Sequence, residues 1–201
     1  MSFNNNKVLS TGGGGALICS GEDKKKAFFY ANQAREEDTA YVHKELGYNY
    51  RLSNVQAMLG LAQLPYVKES IQKRKEINEL YRELFQNTAG IEVFETRSLD
   101  YESNYWLSSI LIDKQQAGFS KNDLHIYFSA NGIETRFLWK PMHCQPLLRE
   151  SLFFWEGFCE ALYEKGLTLP SGSNLTHLDK QRIAKLLAAF LSKFTSDLKL
   201  G

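Results

Sequence analysis

The chain has 201 residues, of which 43% are apolar and 13% aromatic, and its formal net charge is +1. This composition can build a folded core, and the balanced charge gives no electrostatic basis for binding nucleic acid or an anionic membrane. No apolar run reaches the roughly 18 residues that a membrane span needs, and no basic segment followed by an apolar stretch indicates a signal peptide, so we expect a cytoplasmic protein.

Cysteine and histidine spacing gives no sign of a metal site. The three cysteines, Cys19, Cys144 and Cys159, contain no CxxC pair, and the four histidines are scattered. We therefore expect reduced thiols and no bound metal.

The opening segment combines a lysine with a run of glycines. Lys7 follows a polar stretch and precedes Gly12 to Gly15. Glycine tolerates positive φ and lets the backbone approach a ligand closely, and a lysine amine that has lost its proton can form an imine with an aldehyde cofactor. The residue types alone also allow a second interpretation, in which the segment is a flexible turn with a solvated lysine.

The segment from residue 16 to residue 63 is predicted to hold a buried strand, two helices and a connecting loop. In chain order these are Ala16–Ser20, Glu22–Arg35, the loop 36–47 and Val55–Gln63. Ser53 and Gln56 have the spacing of a capping box at the start of the second helix. That helix is apolar nearly all round, so we expect it to be buried. Pro65 then breaks it, and we expect a domain boundary close by.

The remaining segment alternates strands with helices. The predicted strands are Ile91–Phe94, Tyr105–Ile112, Ile133–Phe137 and Leu167–Leu169. The predicted helices are Val67–Gln86, Leu124–Asn131, Phe153–Lys165 and a last helix behind the capping box Thr176–Asp179. This order predicts an α/β domain in which helices pack against a small sheet.

Three parts of the sequence resemble motifs of one enzyme family. They are Ser2-Phe3-Asn4-Asn5-Asn6-Lys7 with Thr11–Leu17, then 47–56, and then 132–146. Together they resemble the sugar aminotransferases of the DegT/DnrJ/EryC1/StrS family, which are fold-type I enzymes that use pyridoxal 5'-phosphate (PLP). The family's lysine lies near the middle of a much longer chain, so the resemblance implies the C-terminal half of such an enzyme.

The resemblance implies a fold and a division into domains. The fold is the α/β C-terminal part of a fold-type I PLP-dependent transferase. Residues 1–65 would be the tail of the large PLP-binding domain, and residues 66–201 the small C-terminal α/β domain. Two further segments, 102–106 and 167–172, resemble core and turn motifs, and we assign them to architecture.

The resemblance also implies roles for seven residues. Lys7 would be catalytic, because it would form the imine with PLP and then carry a proton between the substrate carbon and the cofactor. The implied cofactor-binding residues are Ser2, Lys7 and Asn49. The implied substrate-binding residues are Arg51, Arg136, Trp139 and His143. In the family the segment around Asn49 reaches the active site of the neighbouring subunit, which implies a homodimer.

The implied reaction moves an amino group from an amino acid, glutamate in our expectation, to the keto carbon of a nucleotide-linked sugar. The products would serve the biosynthesis of cell-surface polysaccharides or other glycans. Because the family's N-terminal half supplies most of the PLP site and has no counterpart here, we expect the isolated chain to hold PLP weakly and to be nearly inactive.

A second hypothesis treats the chain as a non-catalytic module. In that case the α/β domain would dimerise, or would complete an N-terminal partner chain. Under either hypothesis we expect residues 1–60 to pair with another copy, to rearrange, or to pack the apolar helix 55–63 differently, because the strand predicted at Ala16–Ser20 would have open edges.

Overall fold

The computed structural model describes residues 1–36, 40–95, 98, 100–154 and 156–195. The chain forms two compact units, Met1–Ser70 and Ile71–Gly201. The assignment of residues 1–65 to a large PLP-binding domain stays a prediction. Within the described residues, no helix is both long and apolar enough to cross a membrane.

The described part of the first unit contains two complete helices and the segments that connect them. Helix α1 (Gly21–Ala31) begins behind Ser20, whose hydroxyl accepts a hydrogen bond from the Asp23 amide. Helix α2 (Asn54–Gln63) begins behind Ser53, and the predicted capping box with Gln56 is confirmed. Helix α1 is shorter than predicted, because Gln33 and Ala34 adopt positive φ of 68° and 49°, which a helix cannot continue through.

Two predictions for the first unit are wrong. Ala16–Ser20 forms no strand, and Leu17 and Ile18 are 72% and 80% exposed. Helix α2 is not buried, since Val55 and Met58 are each 69% exposed. Both predictions rested on apolar side chains. An apolar segment becomes a buried strand or helix only where other residues cover it, and these residues have no such cover within the described first unit.

The second unit contains a four-stranded antiparallel sheet in the order β1-β2-β4-β3. Its strands are β1 (Ile91–Val93), β2 (Ser108–Ile112), β3 (Arg136–Phe137) and β4 (Gly166–Leu169). Its helices are most of α3 (Val67–Phe85), then α4 (Lys114–Ala117), α5 (Lys121–Ala130), α6 (Phe158–Lys165) and α7 (His177–Thr195). Among the described residues there are also short 3₁₀ turns at Met142–Cys144 and Pro146–Leu148, and one at Leu64–Tyr66 in the first unit.

One apolar core holds the second unit together. Its side chains come from β2, β4, α3, α5 and α7 and include Ile77, Tyr81, Phe85, Ile110, Ile112, Leu124, Phe128, Leu167, Leu169, Ile183, Leu187 and Phe190. In β2, Ser108, Ile110 and Ile112 are buried while the residues between them are less so, which is the period of two expected for a strand. The predicted α/β fold is confirmed.

Three elements of the second unit begin later than predicted. Strand β3 begins at Arg136 rather than Ile133. Strand β2 begins at Ser108 rather than Tyr105, because Tyr105 has a φ of 48°, which is outside the extended region. Helix α6 begins at Phe158 rather than Phe153, behind Gly157 with a φ of 77°. Part of the predicted start, Trp155, lies outside the described residues.

Candidate active site

The segment around Lys7 forms a closed loop. At its base, the Phe3 amide donates to the Gly14 carbonyl at 3.0 Å, and the Ala16 amide donates to the Met1 carbonyl at 3.1 Å. At the far end, the Lys7 amide donates to the Asn4 carbonyl at 3.0 Å, which makes a turn that carries the half-buried Lys7. We call residues 1–16 the lysine loop.

Helix α2 holds the lysine loop in place. The Gln63 side chain donates to the Ser10 carbonyl at 2.6 Å and accepts from the Ser10 amide at 3.2 Å. One turn earlier, Gly60 lies so close that a Cβ there would stand 3.0 Å from Thr11 Cγ2. The helix thus contacts the loop through its backbone and an amide side chain, and this fixes the position of the residues that follow Lys7.

Gly14 of the lysine loop packs against Leu52, and this position requires glycine. Gly14 has a φ of 83°, and a Cβ on it would lie 2.3 Å from Leu52 Cδ2. A side chain at this position would therefore be strained and would also clash. Gly14 is therefore part of a specific packing arrangement.

Ser2 lies in the same loop as Lys7. It forms an antiparallel bridge with Gly15, and its hydroxyl accepts a hydrogen bond from the Asn4 amide at 3.4 Å. Two of the predicted site residues, Ser2 and Lys7, therefore belong to one loop.

Asn49 and Arg51 lie on a segment that pairs with the end of α1. The Tyr48 amide donates to the Tyr30 carbonyl at 2.8 Å, and Asn49 forms a bridge with Asn32. The Arg51 guanidinium lies 5.0 Å from the centre of the Phe28 ring, and its Nη1 is 3.5 Å from Asn32 Oδ1. Both Asn49 and Arg51 are exposed on the first unit.

Arg136 is an exposed residue of the second unit. It lies on β3, where its guanidinium makes two contacts with Glu134 Oε1, at 2.8 Å from Nε and 2.7 Å from Nη2. Because both partners are more than 70% exposed, this ion pair is weak and can exchange for another anion.

Trp139 stacks on a second tryptophan that the sequence did not identify. Its ring centre lies 5.6 Å from that of Trp106 with an interplanar angle of 28°, and Trp139 remains 68% exposed. The Trp106 carbonyl accepts a hydrogen bond from Arg74 Nη1 at 2.7 Å, and the same nitrogen donates to the Ser171 carbonyl at 2.8 Å. Burial lowers the pKa of Arg74, but a guanidinium keeps its charge throughout the physiological range.

His143 is largely covered and has a carboxylate partner. Its Nε2 lies 2.6 Å from Glu160 Oε1, its ring stacks on Phe153 at 4.8 Å, and its side chain is 17% exposed. The sequence did not identify Glu160, which is far from His143 along the chain and belongs to α6. The seven predicted residues are thus divided: Ser2, Lys7, Asn49 and Arg51 lie in the first unit, and Arg136, Trp139 and His143 in the second.

Comparison with protein families decides the family of the chain. Residues 1–188 match the model of the DegT/DnrJ/EryC1/StrS aminotransferase family. The chain belongs to this family.

Curated members of the DegT/DnrJ/EryC1/StrS family are similar over most of the chain. EpsN of Bacillus subtilis (strain 168), whose name describes a pyridoxal phosphate-dependent aminotransferase, is 39% identical over 191 residues, which are 92% of this chain and 48% of EpsN. The GDP-perosamine synthase of Escherichia coli O157:H7 is 30% identical over 152 residues, 76% of this chain and 40% of the synthase. The chain therefore spans about half the length of the curated relatives it matches, or less.

Solved structures support the fold of this DegT/DnrJ/EryC1/StrS family member. The aminotransferase TlmJ from Streptoalloteichus hindustanus superposes with a TM-score of 0.85 at 22% identity, over 96% of this chain and 52% of TlmJ. DesI, solved with its TDP-sugar product, superposes with a TM-score of 0.80 at 23% identity, over 98% of this chain and 51% of DesI. At these identities the superpositions establish the fold alone.

Proposed function

We propose that these residues form the lysine-bearing part of a PLP-dependent sugar aminotransferase. The reaction moves an amino group from an amino acid, glutamate, to the keto carbon of a nucleotide-linked sugar, and its product is used to build cell-surface polysaccharides or other glycans. The observation that carries the proposal is the ordered lysine loop, in a chain that belongs to an aminotransferase family over residues 1–188.

The groups of the lysine loop fit the cofactor. Lys7 offers a primary amine for an aldehyde, and Ser2 offers a hydroxyl donor for a phosphate oxygen. The positive φ at Gly12 and Gly14 allows the backbone to approach a flat ligand closely. The loop contains no Asp or Glu, so the carboxylate that would pair with a pyridine nitrogen must come from outside it. When bound, PLP withdraws electrons from the reacting carbon and carries the amino group.

Lys7 has two tasks in this proposal. Its unprotonated amine would hold the aldehyde of bound PLP. Once the amino group of the substrate has displaced it, the freed amine would carry a proton between the substrate carbon and the cofactor. Both tasks require the amine to return to one position, and the Gln63 brace on Ser10 supports that requirement. We propose that the side-chain amide of Asn49 donates to the phosphate, in the site of a second copy.

The substrate side of the proposal uses charge and a flat surface. Arg51 and Arg136 are exposed cations suited to the phosphates of a nucleotide-sugar, and Arg136 can exchange Glu134 for them. The exposed ring of Trp139, supported by Trp106, can stack on a sugar or a base. The His143 Nε2 atom becomes available to a sugar hydroxyl when its bond to Glu160 opens.

Chemical trapping tests the role of Lys7. The full chain is mixed with PLP and reduced with borohydride, and mass spectrometry locates the phosphopyridoxyl group. We expect labelling at Lys7 to exceed that at the exposed Lys24, Lys25 and Lys26, which are the internal controls, and Lys7→Ala to remove it. Equal labelling of all four lysines would contradict the proposal.

The same preparation tests how far the chain acts by itself. We expect PLP to be lost on dialysis and little transfer from glutamate to a keto nucleotide-sugar. Activity should appear when a polypeptide equivalent to the other half of EpsN is added, and it should depend on Lys7. Tight PLP binding and full activity of these 201 residues alone would overturn this part of the proposal.

The alternative is a non-catalytic module that associates with a second copy. The exposed apolar face of α2, with Val55, Met58 and Leu61, favours self-association under either function. Helix α2 contains no charged residue, so nothing on it would repel an identical helix. Labelling of Lys7 with no activity on any keto nucleotide-sugar, even with the added polypeptide, would favour the module.

A further inference from the structure

His143, Cys144 and Glu160 lie together in the second unit. Each offers one ligand atom, namely an imidazole nitrogen, a thiol sulfur and a carboxylate oxygen, and these atoms lie within 4.8 Å of one another. We propose that this cluster binds a zinc-class divalent ion. The proposal does not rest on the aminotransferase function, and an ion on His143 Nε2 would exclude the sugar contact proposed for that nitrogen. Nitrogen, sulfur and oxygen together are the donor set that Zn²⁺ takes in proteins.

The backbone around the cluster is well defined. His143 and Cys144 belong to the 3₁₀ turn Met142–Cys144, which is closed by a hydrogen bond from the Cys144 amide to the Pro141 carbonyl at 3.0 Å. Glu160 lies in the first turn of α6. The third ligand therefore comes from a separate regular element, and the site would close the polypeptide between residues 144 and 160.

The distances suit an ion after small side-chain movements. In a tetrahedral site with Zn–N and Zn–O bonds of about 2.0–2.1 Å, the nitrogen and oxygen are roughly 3.3 Å apart. His143 Nε2 and Glu160 Oε1 are now 2.6 Å apart, so they must separate slightly as the ion replaces their shared hydrogen. The Cys144 sulfur would move inward by up to about 1 Å to reach a Zn–S bond of about 2.3 Å, which rotation about χ1 can supply.

The three side chains of the cluster are partly shielded from solvent. The His143 and Glu160 side chains are 17% and 30% exposed, and the Phe153 ring covers one face of the imidazole. Cys144 is partly buried and forms no disulfide. Three protein ligands leave a fourth position for water, which the partial exposure allows.

Proton balance follows from the ligands. Binding requires the Cys144 sulfur as a thiolate and His143 Nε2 without hydrogen, so the thiol proton passes to the buffer while the imidazole keeps its hydrogen on Nδ1. Each ion bound therefore releases at least one proton, and no oxidant or reductant takes part.

Cobalt titration of the full chain tests the site. We expect one Co²⁺ per chain, with the near-ultraviolet band of a thiolate bound to cobalt and the visible bands of a tetrahedral ion, and Zn²⁺ should displace it. Mg²⁺ should cause no change, because it prefers oxygen ligands. The absence of a thiolate band in the native chain would overturn the proposal.

The chain contains matched controls for the thiol. Cys144→Ser should abolish the thiolate band, whereas Cys159→Ser, next to Glu160, and Cys19→Ser should keep it, since both of these cysteines are exposed outside the cluster. Glu160→Gln should lower the affinity for Co²⁺ by at least about 100-fold, because even an outer partner of a ligand can be worth that much. A band that survives in Cys144→Ser, or unchanged affinity in Glu160→Gln, would contradict the assignment. Circular dichroism confirms that each variant is folded.

Discussion

At the scale of single residues, the candidate site depends on contacts between residues that are distant in sequence. Ser10 and Gln63 are 53 positions apart, yet they make two hydrogen bonds that hold the lysine loop on α2. Their side chains have no catalytic chemistry. They hold the backbone three residues beyond Lys7 against α2.

Gln63→Leu tests this brace. The change removes both hydrogen bonds and leaves the Ser10 amide and carbonyl without that partner in a half-buried position, so we expect a loss of about 1–3 kcal/mol in the local opening free energy of the loop. Hydrogen exchange at the Ser10 amide should become faster accordingly. Gln181→Leu, an exposed position on α7, is the control and should leave that rate unchanged.

Residue types in the sequence predicted several site residues but not the residues that contact them. The glycines and Lys7 could be predicted because their types restrict the backbone and the chemistry. Trp106 and Glu160 could not, because a tryptophan within a predicted strand and a glutamate within a predicted helix usually have ordinary structural roles. Only the fold shows that they lie against Trp139 and His143.

At the scale of elements, capping boxes correctly predicted the helix starts at Ser53 and Thr176, whereas apolar patterns predicted burial poorly in the first unit. The capping boxes at Ser53 and Thr176 form as predicted, because the hydrogen bonds involved span only three residues. The strand predicted at Ala16–Ser20 and the burial of α2 required a neighbouring surface, which no local pattern can supply. The predicted start of β2 was wrong because the positive φ of Tyr105 cannot be inferred from the residue type.

The capping box at the start of α7 predicts a dependence on pH. Thr176 donates to Asp179 Oδ2 from its hydroxyl at 2.6 Å and from its amide at 2.9 Å, and the hydroxyl bond above all lowers the pKa of Asp179 below its usual 3.8. Because the folded pKa is lower than the unfolded one, the stabilisation is complete above that ordinary value and is lost as the pH falls through the folded pKa.

Asp179→Asn should therefore lower the melting temperature at neutral pH, and the difference from the native chain should shrink in strong acid. Thermal unfolding followed by circular dichroism across the acid range provides the measurement. Asp100→Asn, in an exposed loop position, is a control whose difference should stay near zero. A deficit for Asp179→Asn that grows in acid would contradict the assignment.

At the scale of the whole molecule, the two units present different surfaces. The second unit covers its apolar side chains with its own sheet and helices. The first unit leaves large apolar side chains of α2 more than half exposed, including Val55, Met58 and Leu61. A surface of this kind is typical of an interface, and a two-fold symmetric contact would let the same helix serve both copies.

Met58→Glu tests the proposed contact between copies. The side chain is 69% exposed, so a charge there costs the single chain little but would be buried against a partner. We expect the native chain to dimerise in light scattering and Met58→Glu to weaken the dimer by 2–5 kcal/mol, roughly 30-fold or more in dissociation constant. Leu178→Glu is the control, because Leu178 lies near the start of α7 and is 74% exposed. It should leave the dissociation constant of the dimer unchanged. A native chain that stays monomeric at high concentration would contradict the contact.

Helix α2 carries both the brace on the lysine loop and the apolar face, on opposite sides of about three turns. If a second copy binds to α2 and restricts its motion, the lysine loop is restricted as well. Dimerisation and ligand binding at the loop would then be thermodynamically coupled. Such coupling is reciprocal. A ligand that orders the lysine loop must raise the affinity of the two copies for each other by the same factor by which dimerisation raises the affinity for the ligand. The concentration of the protein would then act as an effector of its own cofactor affinity.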